Sequence, residues 1–217
     1  MSQDMLMLLV EGLGETFYMV AVSSLVSALL GIPLGVILVI TGKGHIKENL
    51  LFNQTLGAIV NAARSTPFII LMVAIIPFTR IIVGTSIGTN AAIVPLTIAA
   101  IPFLARVVES AIKEVDAGLI EAAQSMGASP SQIILKVLIP ESMPSIVLGI
   151  TLTVISLIGY SAMAGAIGGG GLGDLAIRYG YQRFRADVML ATVVILIAMV
   201  QIVQSSGDYF AHKLNKR

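Results

Sequence analysis

Few side chains in this sequence could do chemistry, and they lie far apart. There is no cysteine, and the two histidines, His45 and His212, stand alone. A thiol nucleophile, a thiolate metal site and a histidine metal site are therefore not expected. Gly168, Gly170 and Gly173 satisfy G-x-G-x-x-G in form. A dinucleotide site needs a strand before that pattern and a P-loop needs Lys-Ser/Thr at its end, and this segment has neither. The glycine run reads instead as a tightly turned connection that permits close backbone approach. With no Walker lysine and no catalytic set of side chains, the chain is not expected to be an enzyme. What remains is Arg64, a charge inside an apolar block; Tyr160, Ser161 and Met163, just before the glycine run; and Glu121, followed by two alanines and, six positions on, by Gly127.

The elements that must position these residues follow from composition. The 217 residues are 56% hydrophobic and 12% charged, with a mean hydropathy of +0.95. Soluble domains carry about a quarter charged residues, so this is a polytopic, all-α membrane protein. Thirteen Lys+Arg against twelve Asp+Glu leave no nucleic-acid footprint. The N-terminus lacks the basic start and cleavage site of a signal peptide and is expected to be retained. Five spans are expected. They are Thr16–Ile40, preceded by Glu11 and Glu15 and kinked near Gly31-Ile32-Pro33-Leu34-Gly35; a broken span from Leu56 to Phe78, interrupted at Arg64-Ser65-Thr66-Pro67 and Pro77; Ala91–Val107; Ile146–Met163; and a fifth beginning at Val188. Gly165 to Ala186 should be a loop with one short helix after Gly173, and Asp208–Arg217 a basic tail. The whole chain, 1–217, reads as one transmembrane domain.

Between the third and fourth spans lies a long polar interval, Arg106 to Pro144. Ile112, Val115, Leu119, Ile120, Ala123 and Met126 recur at helical spacing and should share one apolar face, opposite a charged one. Gly127 interrupts the pattern. Ser129-Pro130-Ser131-Gln132 then reads as a second helix start with a capping box, and Pro140 and Pro144 should stop that helix early. Two short amphipathic helices would thus meet at a glycine and lie on the membrane surface or dock into a partner. With the C-terminus inside, the basic residues divide eight to four: Lys43, Lys47, Arg106, Lys113, Lys136, Lys213, Lys216 and Arg217 against Arg80, Arg178, Arg183 and Arg185. This bias places the helix pair and the C-terminus in the cytoplasm and the N-terminus outside.

The middles of the spans carry no Asp, Glu, Lys or His. A carrier driven by an ion gradient normally needs such a group, so an external energy source is favoured. Arg64 reads as a charge lining a pathway or, more in keeping with arginines near span ends, as a side chain that pairs with a carbonyl or snorkels to the interface. Tyr160, Ser161 and Met163 read equally as pathway or gate residues and as ordinary helix packing.

The spacing Glu121-Ala122-Ala123, three residues, Gly127, nine residues, Val137-Leu138-Ile139-Pro140 resembles the cytoplasmic EAA loop of binding-protein-dependent ABC importer permeases. Val137 and Ile139 are conservative departures from that family's I-x-L-P. A narrower likeness, carried by Arg64-Ser-Thr-Pro-Phe-Ile-Ile-Leu, Ile76-Pro-Phe-Thr-Arg80, Val83-Gly-Thr-Ser-Ile-Gly88, Ala92-Ile-Val-Pro-Leu-Thr97 and Gly159-Tyr-Ser-Ala-Met163, is to bacterial methionine-import permeases. The resemblance implies an ABC type I importer permease fold in the bacterial inner membrane, with a coupling-helix pair docked on a cytoplasmic ATPase through Glu121, Ala122, Ala123, Gly127, Val137 and Pro140. It further implies a homodimer, two ATPase subunits that bind the ATP and Mg, an extracytoplasmic methionine-binding protein, and methionine uptake by alternating access. The alternatives are import of another amino acid or small metabolite, and a membrane scaffold that docks without transporting.

Overall fold

The computed structural model describes residues 3–215, which are almost entirely helical, with no strand among them. Lys216 and Arg217 of the expected basic tail lie outside the described residues. The helices are α1 (Gln3–Ile40), α2 (Leu50–Ser65), α3 (Phe68–Ala74), α4 (Ile76–Val83), α5 (Thr89–Lys113), α6 (Ala117–Ser125), α7 (Pro130–Ala166), α8 (Gly171–Leu175) and α9 (Ala186–Leu214). Helices α1, α5, α7 and α9 are long and apolar enough to cross a membrane. The pair α2 and α3 becomes a fifth span if its two arms, bent by 101°, count as one. The broken span expected from Arg64-Ser65-Thr66-Pro67 is therefore present as a sharp corner.

Helix α1 begins well before Thr16, so Glu11 and Glu15 lie inside it rather than ahead of it. The glycines expected to kink α1 let it approach α5. A Cβ on Gly31 would lie 3.1 Å from the Ile101 carbonyl oxygen, and one on Gly35 would lie 2.6 Å from that of Ala105 and 2.7 Å from Val108 Cβ. In lipid, where apolar surface gains little by leaving the solvent, such close backbone approach is what holds helices together. Gly207 of α9 likewise sits directly on Thr151 of α7. Buried hydroxyls on these helices turn back to their own backbone, Thr153 to Gly149 and Thr192 to Val188.

Two expectations about the polar interval are corrected. Ile112 belongs to the last turns of α5, not to a surface helix. The helix that starts at Pro130 does not stop at Pro140 or Pro144 but runs on to Ala166 as part of the fourth span. A π-helical turn over Ile134–Leu138 makes this possible: the Ile139 N–H bonds to the Ile134 carbonyl, one residue further back than in an α-helix. The ladder is already offset where Pro140 withholds its N–H, and the ring meets a wider turn.

The expected loop 165–186 is also more ordered than its glycines suggest. Helix α8 starts at Gly171, ahead of Gly173, and Gly171, Leu172, Gly173 and Leu175 are all buried. Gly168, Gly170 and Gly171 have φ of +91°, +79° and +77°, a region open to glycine at little cost. The Glu15 carboxylate accepts the Gly171 N–H at 2.6 Å and the Thr16 hydroxyl accepts that of Leu172 at 2.9 Å. The acid satisfies a free donor at the positive end of α8 and pins the turn to α1.

Replacing Gly35 by Ala is expected to cost about 1–3 kcal/mol through overpacking against α5. Gly14→Ala, in the same helix with nothing within 4 Å of the new Cβ, should be neutral or stabilising by up to about 1 kcal/mol. Thermal unfolding of the two variants in detergent checks the contrast.

Candidate functional site

The segment between α5 and α7 is locked at both ends by local hydrogen bonds. Asp116 caps α6, its carboxylate accepting the Gly118 N–H at 2.7 Å. At the other end the Ala128 N–H reaches the Ala123 carbonyl at 3.0 Å and the Gly127 N–H that of Gln124 at 2.9 Å, with Gly127 at φ +76°. This is a Schellman stop, and glycine is the residue that takes its left-handed position without strain. The capping box read from the sequence is present: Gln132 N–H to Ser129 Oγ at 3.4 Å and Ser129 N–H to Gln132 Oε1 at 2.8 Å.

Between these stops α6 shows two apolar sides rather than one. Ala123 is buried, and Ile120 and Ala128 are half-buried beside it. They rest on a core built from Val36, Val39 and Ile40 of α1, Val108 and Ile112 of α5, and Leu138 of α7. Leu119 and Met126, expected on the same face as Ile120 and Ala123, point away from this core and are 43% and 81% exposed. Residues 119, 122 and 126 are neighbours at three- and four-residue spacing, whereas 120 and 123 lie toward the other side. The expected single face is thus an inner seat, Ile120 and Ala123, and an outer strip, Leu119, Ala122 and Met126, with exposed Glu121 beside it. Val137 is half-buried against the same core, and Pro140 is exposed.

The other residues singled out lie near the corner of the broken pair or away from it. Arg64 is exposed in the last turn of α2, without an ion pair among the described residues. Just past the corner, the Phe68 ring stacks on Tyr160 of α7, with centroids 4.7 Å apart and planes 9° from parallel. Ser161 is buried and donates to the Ile158 carbonyl of its own helix at 2.8 Å, so its hydroxyl is already used. Met163 is half-exposed, one turn from Tyr160. An apolar cavity of about 330 Å³ lies between α3, α4, α5 and the end of α7, bounded by Met72, Thr79, Ala91, Pro95 and Ala164.

Two polar constellations were not singled out from the sequence. Glu109, 7% exposed, bridges Arg106 at 2.6 Å and Lys113 at 2.7 Å. The i,i+3 and i,i+4 spacing of these residues in RVVESAIK was the signal available for it. Glu15 on Gly171 had no local signal, because its partner is 156 residues away. Near the same end of α5, His45 is half-buried in the loop after α1. Burial first and the Lys113 charge second hold its imidazole below the ordinary histidine value.

The family described as binding-protein-dependent transport system inner membrane component matches residues 31–216. A probable D-methionine transport system permease protein of Vibrio cholerae is 59% identical over 210 residues, covering 97% of this chain and 93% of that protein. A methionine import system permease protein of Bacillus subtilis is 50% identical over 181 residues, covering 83% and 82%. Among solved structures, a chain from inward-facing conformations of the MetNI methionine ABC transporter superposes with a TM-score of 0.98 at 50% identity, each chain fully covered. A chain from an amino acid ABC transporter crystallised with histidines, at 20% identity and a TM-score of 0.77, shares the fold.

His45 makes the loop beside α6 sensitive to acid. A histidine pKa lowered by folding means that the unfolded chain takes up the proton first as pH falls below the ordinary value of 6.5. The stability it allows is complete above that value and is lost on further acidification. Melting followed from pH 8 to pH 5 should show a loss for the wild type that is smaller for His45→Asn.

Proposed function

We infer the function of this chain from the family to which it belongs, the binding-protein-dependent transport system inner membrane components: it is the membrane-spanning permease subunit of an ATP-driven ABC importer for methionine. The chain is a transport component and not the ATPase. The observation that carries the mechanism is the construction of α6. A short helix is stopped at both ends, seated by Ile120 and Ala123 on three membrane helices, and leaves an outer strip of Leu119, Ala122 and Met126 exposed. Exposed apolar strips beside a carboxylate suit a partner surface rather than water.

On this reading two copies of the chain assemble with two cytoplasmic ATPase subunits, which bind ATP and Mg. The helix α6 and the start of α7 dock into them. Glu121, Ala122 and Gly127 lie at the contact, Ala123 sets the depth of the seat, and Val137 and Pro140 shape the offset entry of α7 into the membrane. The apolar faces of α2, α3 and α4, with Ile69, Ile70, Phe78, Ile81 and Ile82 exposed, support pairing with the second copy. The balance of basic residues supports a cytoplasmic C-terminus and coupling end and an outer N-terminus. An extracytoplasmic binding protein delivers methionine at the outer ends.

Closure of the ATPases by ATP moves each α6, and with it the inner ends of α1, α5 and α7, so that access alternates between the two sides. Arg64 and Tyr160 lie at the corner where such a pathway would narrow, and Met163 lies one turn beyond Tyr160 on the same helix. Ser161 contributes to packing there, its hydroxyl being engaged by its own helix. The likeness to an inward-facing transporter chain supports assigning the described conformation to the state before ATP closure.

Uptake of labelled methionine by proteoliposomes holding the chain, its ATPase and its binding protein tests the function. Competition by unlabelled methionine is the expected result, and its absence would contradict the substrate. Glu121→Lys and Gly127→Pro, the latter unable to take φ +76°, should insert normally yet lose copurifying ATPase or hydrolyse ATP without proportionate uptake. Normal assembly and uptake in both would remove the docking role.

A further inference from the structure

Helix α2 is poorly anchored for the inner arm of a membrane pair. Val60 is its one buried residue, and its apolar contact is a small cluster of Val60 and Leu56 with Leu34, Leu38 and Ala105. Near its start, Asn53 Nδ2 donates to the Leu38 carbonyl at 2.6 Å and to Thr41 Oγ1 at 3.0 Å, joining it to the end of α1. One turn further on, Arg106 Nη2 donates to the Gly57 carbonyl at 2.7 Å, joining it to α5. Gly57 leaves the room for this: a Cβ there would lie 3.2 Å from Nη2.

The same guanidinium donates from Nη1 to Glu109 at 2.6 Å, and the other oxygen of Glu109 accepts from Lys113 at 2.7 Å. A buried carboxylate must be paired to remain ionised, and here the pairing forms a continuous polar line. It runs from Lys113, the last residue of α5, through Glu109 and Arg106 to the backbone of α2. The Arg106 Nε–H is buried without an acceptor among the described residues, so the guanidinium is placed by these two contacts alone. Beyond the corner, α3 is held by the Phe68 ring on Tyr160 of α7. The first arm of the broken pair is therefore held by the end of α1 and by α5, and the second by α5 and α7, and α5 and α7 are the two helices that flank α6 in the chain.

We propose that Arg106 is a positioning residue for transport, carrying displacement of the α6 end of α5 to the inner arm of the broken pair by holding the Gly57 carbonyl and Glu109 together. The role rests on the permease reading above and adds to it the contact by which motion crosses from α5 to α2. It requires arginine: the planar fork serves the carbonyl and the carboxylate at once, and a lysine ammonium on a single stem does not reproduce that geometry.

The test uses the complete transporter, chain with ATPase and binding protein, in proteoliposomes. Arg106→Lys keeps the charge beside Glu109 and should assemble and hydrolyse ATP as the wild type does, while methionine carried per ATP falls about tenfold, the scale of one charged hydrogen bond. Because the chain has no cysteine, thiol-reactive spin labels can be placed on exposed Leu51 of α2 and Gln124 of α6. Their separation should stay narrow on ATP addition in the wild type and broaden in Arg106→Lys. Wild-type uptake per ATP together with an unchanged label separation in Arg106→Lys would overturn the proposal. A wild-type complex that moves no methionine would defeat the methionine reading instead, and the label separation would still decide the role of Arg106. Should Arg106→Lys not assemble, Gly57→Leu displaces the guanidinium from the α2 side with every charge on α5 kept. The same loss of coupling is expected there, and full coupling would refute the link.

Discussion

An isolated helix shorter than about 12–15 residues does not hold itself together in water, and α6 has nine. Its existence depends on the contact of Ile120, Ala123 and Ala128 with the end of α1, the end of α5 and the start of α7. Ala123 is central because it is the one residue of α6 that is fully buried, at 5% exposure. A helix that exists only while seated cannot easily move without its seat, which is the property that the proposed docking role requires. The Schellman stop and the capping box fix its length at both ends, so the displacement of a partner surface reaches the bundle instead of being absorbed by fraying.

The rest of the bundle meets the same demand for rigidity by close backbone approach. Gly31 and Gly35 press α1 onto α5, Gly207 presses α9 onto α7, and Gly171 lies against Thr16 and Met19. Where the chain must turn at the far end, Glu15 and Thr16 supply the acceptors that the first N–H groups of α8 need. The contrast is α2, α3 and α4, which bury few side chains, bend sharply and expose branched apolar residues. A closely packed frame of α1, α5 and α7 thus stands beside a less buried, sharply bent pair.

The sequence carried the spans, the break at Arg64-Ser65-Thr66-Pro67, the capping box at Ser129 and the glycine stop at 127, because each is written in local residue types. Glu121, Ala122 and Gly127 were singled out by their match to the EAA spacing, and all three lie exposed. What was not legible depended on neighbours distant in the chain. Met126 and Leu119 match the helical period of the seat, but the support lies under Ile120 and Ala123, and periodicity cannot say which side of a short helix meets it. Pro140 and Pro144 signal a stop by propensity, yet a π turn at Ile134–Leu138 offsets the ladder so that the helix continues. Arg106 and Glu109 look like the start of a solvated stretch until α2 is seen beside them. Glu15, counted as a flanking charge, has its partner on another helix altogether.

The central claim is that α6 moves together with the inner ends of its own bundle. The most direct measurement is a pair of spin-label distances in the reconstituted transporter, without nucleotide and with ATP trapped. One distance runs from Ser125 on α6 to Lys47 beside the end of α1, and the other from Ser125 to the same position in the second copy. The account predicts that the first stays constant while the second shortens on ATP binding. A change in the first distance with the bundle ends stationary would contradict it.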